Sequence, residues 1–510
     1  MRERAQLLVV GAGPAGLAAA LEAARQGLQV VLVDEHPVDH AMMGIDVPLH
    51  FGQRMSSAVR NRGRMLERLV EADPQIAEAF EAGIDVRLGT SVWGLFVHQP
   101  GLRWVRGCVA GLTQGEDVWF VRFDTAILAT GRRDVGLAFP GWDLPGVMGV
   151  TAADALLRRY DALDGQDFII IGSGAEATTF GMQALQNGRR VVALVEAGDV
   201  AVDNEGSKRL AAAGVPVFTE SMIARADGGA EGLRGATIVA LNGASETQNF
   251  RCDTVVLASG VAPVVELFDV AGAQIVFRPE GGGHVAATDI DGRTTVPMLF
   301  AAGDCTGINA EKTCDWRVAA EEGRRAARAA AASLGCDSKL DWLVPTAVVS
   351  AVGTIPERIA WANAELAVAD DGVYVCQCEE VSATDLIGVR PPRYLDRSQP
   401  AMRARSLATL AADGSVNQDQ IKRLTRAGMG LCQGRRCREQ VGAILAAITR
   451  TPLGAIPLPS YRAPVRPLPL SAFAVSEEPA SLAKNWDVWF GIESQFQEPQ
   501  TKRGETEEIP

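Results

Sequence analysis

At 510 residues the chain is too long for a single hydrophobic core, and two to four domains are expected of it. Its hydrophobic fraction of 47% and charged fraction of 22% are those of an ordinary globular protein and exclude wholesale disorder. A formal charge of −13 argues against broad nucleic-acid binding, which draws on clustered Lys and Arg, and reads as a contribution to solubility. No apolar run is long enough to span a bilayer as a helix. The opening MRERAQLLVVGAGPAGL leads its first apolar run straight into glycines, with no cleavage site. That run is a buried strand by this reading, not a signal peptide, and a cytoplasmic location is expected.

Residues 7–10 form this strand, followed by Gly11-Ala-Gly13-Pro14-Ala15-Gly16, a helical stretch LAAALEAARQG, and a second strand ending in Asp34-Glu35. Strand, glycine turn, helix, strand and acid stand in the order a dinucleotide-binding unit requires. Gly11 is expected to make the tight turn, Gly13 to let the backbone approach a pyrophosphate, and Gly16 to let helix and strand pack closely. The helix start, at Pro14 and Ala15, then offers free N–H groups and a positive dipole end to the phosphates. Asp34 sits where a carboxylate accepts hydrogen bonds from an adenosine ribose, with Glu35 as the neighbouring candidate.

A second unit follows: a strand over 167–171, then Gly172-Ser-Gly174-Ala-Glu176-Ala177, a helix to 187, and a strand 190–195 ending in Glu196. Ala177 replaces the third glycine. Glu176 places a carboxylate in the first helical turn, where it either repels a pyrophosphate or merely complements the helix dipole. Gly172, Gly174 and Glu196 are the candidates for a second nucleotide, ATP or NAD(P), at this turn.

Three further strand ends tie the halves together: Thr130-Gly131, Ser259-Gly260 and Gly303-Asp304. The first two suit crossovers between nucleotide domains. Asp304 can accept from a ribityl hydroxyl, and a helix beginning near Trp316 would face the pyrimidine edge of a flavin, where its dipole stabilises the reduced form. This set of motifs resembles the two-dinucleotide-domain flavoproteins, the class that contains glutathione and thioredoxin reductases, over roughly residues 5–335. The resemblance implies an α/β fold with two Rossmann-like domains. Residues 1–125 and 265–340 would form a discontinuous FAD-binding domain, and 126–264 the second nucleotide-binding domain. Those reductases use a paired-cysteine site beside the flavin; no C-x-x-C occurs in this region, so dithiol exchange is not supported.

After a connector over 341–372, four of the nine cysteines fall in two tight pairs, Cys376-Gln-Cys378 and Cys432-Gln-Gly-Arg-Arg-Cys437. This is no secreted disulfide framework. Four thiolates without an intervening histidine suit a [2Fe-2S] cluster; structural zinc is the rival, although C-x-C is tight for a zinc knuckle. Arg435, Arg436 and Arg438 are positioned to offset the cluster's negative charge, and glycines near Cys432 to let backbone N–H groups reach the sulfurs. Cys108, Cys252, Cys305, Cys314 and Cys336 are read as small buried hydrophobes.

The phrases CQCEEV and RLTRAGMGLCQGRRC resemble the small iron–sulfur domain related to bacterioferritin-associated ferredoxin, here a small helical domain over 373–450. Joined to the flavoprotein body, and with the Pro-rich tail 451–510, the order of motifs is similar to the A-type (alpha) subunits of opine oxidases. It is similar also to the middle subunit of hydrogen cyanide synthase and to dye-linked proline or hydroxyproline dehydrogenases. That resemblance implies an electron-transferring subunit of an amino-acid or opine dehydrogenase complex. Its partners would be an FAD-containing beta subunit that oxidises the substrate, a small gamma subunit, and a quinone or dye-type acceptor through which the chain associates with a membrane. Two departures stand out: Ala175-Glu176 where such proteins have Gly-Pro, and a long interval between Cys378 and Cys432.

No acid–base constellation for substrate chemistry is visible. The histidines (His36, His40, His50, His98 and His284) are scattered, though His36 and His50 lie near the first ribose acid. A flavin takes two electrons as a hydride and a cluster passes them singly, which is the physical use of joining the two. The rival readings are a stand-alone NAD(P)H-dependent reductase and a scaffold whose cluster only stabilises the fold. The Pro-rich stretch 452–469 cannot form a compact helix and is expected to run extended over a partner or over the chain's own body.

Overall fold

Apolar residues run unbroken through Leu7–Val10 of the strand Glu3–Val10 because both its faces are covered there, as in a parallel sheet. In the computed structural model, which describes residues 3–37, 61–97, 107–243, 247–335, 353–391, 400 and 404–474, this strand lies between two parallel neighbours. Val30–Asp34 flanks it on one side and Asp117–Leu128 on the other. Asp85–Leu88 extends the first side, and Leu299–Ala301 pairs parallel with Asp117–Leu128. The antiparallel strands Cys108–Gln114 and Ser91–Phe96 complete a seven-stranded sheet. The helices Pro14–Arg25 and Trp316–Leu334 cover it. Both are rich in alanine, and at Gly323 the two backbones nearly touch: a Cβ there would lie 2.0 Å from the Ala15 carbonyl oxygen.

A second, five-stranded parallel sheet is built from Val217–Phe218, Arg190–Val195, Asp167–Ile171, Thr254–Leu257 and Val147–Gly149, with an antiparallel meander of three strands inserted between Phe218 and Thr254. The chain crosses between the sheets twice. The crossings pair as a short antiparallel ribbon, Arg132–Asp134 against Val261–Pro263. The domain edge expected at 125/126 therefore falls inside a continuous strand, and the crossing lies just beyond Thr130-Gly131.

The cysteine region does not stand apart. Val375, Leu386, Ile421 and Ile444 share one hydrophobic core with Phe139, Trp142 and Ile169 of the second sheet's surroundings. The helices Pro356–Ala367 and Arg438–Thr449 carry this junction. Residues Met1–Pro467 form one compact unit; the described part of the other, Leu468–Pro510, holds the short helix Ser471–Ala474. Among the described residues no helix is long and apolar enough to cross a membrane.

Glu365 sits in that junction at 2% exposure, accepting a hydrogen bond from Gln440 Nε2 at 2.7 Å. Burial pushes its carboxyl from the usual 4.5 up to about 8. The folded chain then keeps a proton that the unfolded chain has lost between those two values, so stability is greatest at the acid end and falls as pH rises through the window. The slope from this group reaches about 1.4 kcal/mol per pH unit. Urea titrations across the window should show Glu365→Gln flattening the slope; an unchanged slope would assign it to other groups.

Candidate functional site

Two of the three glycines in the first turn are fixed by contact. Gly11 has φ +107°, and a Cβ on it would lie 2.2 Å from the Ala129 carbonyl; one on Gly16 would lie 1.7 Å from the Gly11 carbonyl. Gly13 is different, with nothing within 4 Å of its absent Cβ. It caps the helix Pro14–Arg25 without any side-chain partner, leaving the first-turn N–H groups of Ala15 and Gly16 open to a ligand. Asp34 accepts from the Ala12 N–H at 2.5 Å and the His36 N–H at 2.7 Å, with His36 Nδ1 3.0 Å away. Burial pushes the Asp34 carboxyl up, but His36 and the amide donors outweigh it and hold the group below its ordinary range.

Gly11, Gly13, Asp34 and His36 line a cleft of ≈ 570 Å³ together with Thr130, Gly131, Gly303 and Asp304; Gly16, packed against Gly11, does not. Thr130 Oγ1 donates to the Val264 carbonyl at 2.7 Å, and Asp304 pairs with Arg132 Nε at 3.2 Å. Behind Gly303, buried Lys312 pairs with Glu322 at 2.8 Å, and Glu322 accepts the Gly303 N–H at 2.9 Å. The helix expected near Trp316 begins there, capped by Asp315. Open space in front of Gly13, an uncapped helix start and a carboxylate anchored at Asp34 fit a dinucleotide. His36 is at this end of the cleft, while His284 packs edge-on against Phe277, its pKa pushed by burial down to about 4. His40, His50, His98 and Cys336 lie outside the described residues.

The second turn has the same backbone but a different surface. Gly172, at φ +104°, abuts the Ala258 carbonyl as Gly11 abuts Ala129. At Gly174, however, a carboxylate oxygen of Glu176 lies 3.5 Å from the place of a Cβ. Glu176 pairs with Arg132 at 2.8 Å and accepts from Thr313 Oγ1 at 3.0 Å. Glu196 is fully buried, accepting from Ser173 Oγ at 2.6 Å and the Gly198 N–H at 2.9 Å. The following loop closes back, with the Val202 and Asp203 N–H groups on Ser173 at 2.8 Å. Gly172, Gly174 and Glu196 do not line the cleft.

Cys376 ends a short strand, Tyr374–Cys376, and Cys378 follows in a tight turn closed by Glu380 at φ +52°. Cys437 caps the helix Arg438–Thr449. Cys376, Cys432 and Cys437 are buried and Cys378 is half-buried. The thiols meet two by two, Cys376 with Cys437 and Cys378 with Cys432, each pair within electrostatic reach of the other. Among the described residues no group of three or more His, Cys, Asp or Glu has the arrangement of a ready-made metal site. Amides nevertheless face the sulfurs: the Gly428 N–H reaches Cys376 Sγ at 3.4 Å, and the Arg436 N–H bonds Cys432. The partner thiol of Cys378 and that amide hold Cys432 down to about 5. Four sulfurs meeting in two pairs, with N–H donors on Cys376 and Cys432, fit thiolate ligands.

The other cysteines divide. Cys252 and Cys305 are buried, Cys305 pushed by burial up to about 12, and Cys108 is half-buried. Cys314 corrects the reading of buried hydrophobes: it is exposed and lines the cleft. Arg438 also differs from its expected role. It serves carboxylates instead of sulfur, pairing with Glu266 at 3.0 Å and Glu439 at 3.1 Å with its side chain wholly buried. Arg435 points the other way, into the cleft, its Nη1 on the Val465 carbonyl. Three cleft residues escape sequence reasoning: Arg132, Lys312 and Arg466. The run Arg132-Arg133-Asp134 directly after Thr130-Gly131 is the available signal for the first.

Residues 5–331 match the pyridine nucleotide-disulphide oxidoreductase family, and the chain belongs to that family. Residues 399–477 match the sarcosine oxidase A3 domain. Among individual relatives, the opine oxidase A subunit of Agrobacterium tumefaciens (strain Ach5) is 28% identical over 87% of this chain and 86% of its own length. The hydrogen cyanide synthase subunit HcnB of Pseudomonas aeruginosa is 26% identical over 84% and 90%. The solved L-proline dehydrogenase from P. horikoshii superposes with a TM-score of 0.60 at 20% identity, over 93% of this chain and 80% of that one, and shares the fold.

Proposed function

We propose that this chain is the electron-transferring flavin and iron–sulfur subunit of a multi-subunit dehydrogenase acting on an amino acid, opine or other secondary amine. It relays electrons from a substrate-oxidising FAD partner subunit to a quinone or dye-type acceptor. One observation carries this reading: Arg435, between Cys432 and Cys437, lines the same cleft as Gly13 and Asp304. A single short loop thus separates the thiols from the nucleotide cleft. The opine oxidase A subunit and HcnB, similar along most of the chain, are themselves named as parts of multi-subunit enzymes.

FAD, when bound, supplies two-electron hydride acceptance, and a [2Fe-2S] cluster supplies one-electron transfer. The chain's own part is to hold them. The open amides after Gly13 bind pyrophosphate, Asp34 accepts from the ribose, and Asp304, neutralised by Arg132, is available to a polyol hydroxyl. Cys376, Cys378, Cys432 and Cys437 bind the cluster, with the Gly428 and Arg436 amides supporting the sulfurs.

The rival, a stand-alone NAD(P)H reductase, is disfavoured by Glu176 in front of Gly174 and by Glu196 satisfied within its own loop. The test is anaerobic spectroscopy of this chain alone and with the products of adjacent genes. NADH is expected to leave the flavin of the isolated chain oxidised, and the amine substrate to bleach flavin and cluster only in the complex. Rapid bleaching by NADH alone would establish the rival instead.

A further inference from the structure

The strap of residues 456–467 contains four prolines, and having no ladder of its own it must find partners for its backbone elsewhere. It finds them on both sides of the cleft. Tyr461 N–H donates to Asp269 at 3.1 Å, and Ser460 N–H donates to Asp419 at 3.0 Å on the cysteine side. Val465 N–H donates to the Trp93 carbonyl at 2.7 Å on the first sheet, while its own carbonyl accepts from Arg435. The Val465 side chain is buried in the first sheet's core. Arg466 then reaches Glu35, 2.9 Å from Nε to Oε2, beside the ribose acid Asp34. Val465 and Arg466 both line the cleft.

We propose that this strap is a clasp over the adenosine half of the nucleotide cleft, with Arg466 as its latch on Glu35. The inference rests on the reading of the cleft as a nucleotide site. Two effects follow from the chemistry of the pair. Arg466 neutralises a carboxylate that would otherwise repel a phosphate-bearing ligand. Its planar guanidinium also offers hydrogen bonds and a stacking face to a nucleotide base. Because the strap is bonded to both flanks, opening it breaks buried contacts, so the clasp acts mainly against nucleotide release.

The test uses the full chain, stripped of nucleotide and titrated by calorimetry with FAD, ADP and FMN in turn. Arg466→Ala is expected to weaken FAD and ADP by at least about tenfold and to leave FMN, which lacks the adenosine half, unchanged. Arg466→Lys, which keeps the charge but not the fork, should fall between; it also serves if the alanine variant does not fold. Unchanged FAD and ADP binding in a folded variant overturns the clasp, as does an equal loss for all three ligands. A wild-type chain that binds neither FAD nor ADP overturns the nucleotide reading instead.

Discussion

Arg438→Ala is expected to cost the folded chain about 3–5 kcal/mol, the range for removing one partner from a buried ion pair. Its guanidinium donates to Glu266 at 3.0 Å, Glu439 at 3.1 Å, the Pro263 carbonyl at 3.2 Å and Tyr461 Oη at 2.6 Å, with none of the side chain exposed. Arg133 also contacts Glu266, and Arg358 reaches Glu439 at 2.8 Å. Neither neighbour is free to supply the missing donors, since Arg358 is already bonded to the Val261 and Gly282 carbonyls and Arg133 to the Arg435 carbonyl. The deletion therefore leaves a Tyr461 hydroxyl, a backbone carbonyl and parts of two carboxylates buried without water. Lysine, a point donor in place of a fork, should rescue little. Urea unfolding of the full chain reads the effect; a loss below about 1 kcal/mol would show that the network relaxes around the gap. The consequence for function is positional. Arg438 follows Cys437 directly and is tied to the crossing strand Val261–Pro263, so it fixes the cysteine loop against the cleft.

Gly430→Ala is expected to have the second large effect, on metal content. A Cβ at Gly430 would stand 2.3 Å from the Cβ of Cys378, so one of them must move. Both belong to short, tightly turned segments with few degrees of freedom, and displacing Cys378 pulls its sulfur away from Cys432. Disturbing the support of a ligand costs about 10–100-fold in metal affinity. Iron and acid-labile sulfide in the purified variant should fall accordingly, while far-UV circular dichroism keeps the wild-type signal from the two sheets. A variant with a full complement of iron would mean that the Cys378 turn is not part of the ligand set.

The glycine turn and the cysteine pairs were legible in the sequence because each is local. Gly11, Gly13 and Gly16 are fixed by a spacing of a few residues, and so are Cys376 with Cys378 and Cys432 with Cys437. The contacts that shape the site are not local. Arg132 meets Glu176 across 44 positions, Arg438 meets Glu266 across 172, and Arg466 meets Glu35 across 431. No periodicity or motif announces such pairs; they exist because two sheets and a returning strap bring distant charges into one low-dielectric region. The second turn shows the complementary limit. Its first two glycines repeat the first pattern, with Ala177 in place of the third, and only the structure shows Glu176 beside Gly174 and paired with Arg132, and Glu196 bonded within its own loop.

Cofactor analysis of the wild-type chain, purified without oxygen, tests the relay most directly: iron, acid-labile sulfide, zinc and flavin per chain, with electron paramagnetic resonance after reduction. About two irons and two sulfides, with a flavin in the same molecule and a reducible paramagnetic cluster, are the expected result. Zinc at the cysteines, or four unmetallated thiols beside a bound flavin, would contradict it.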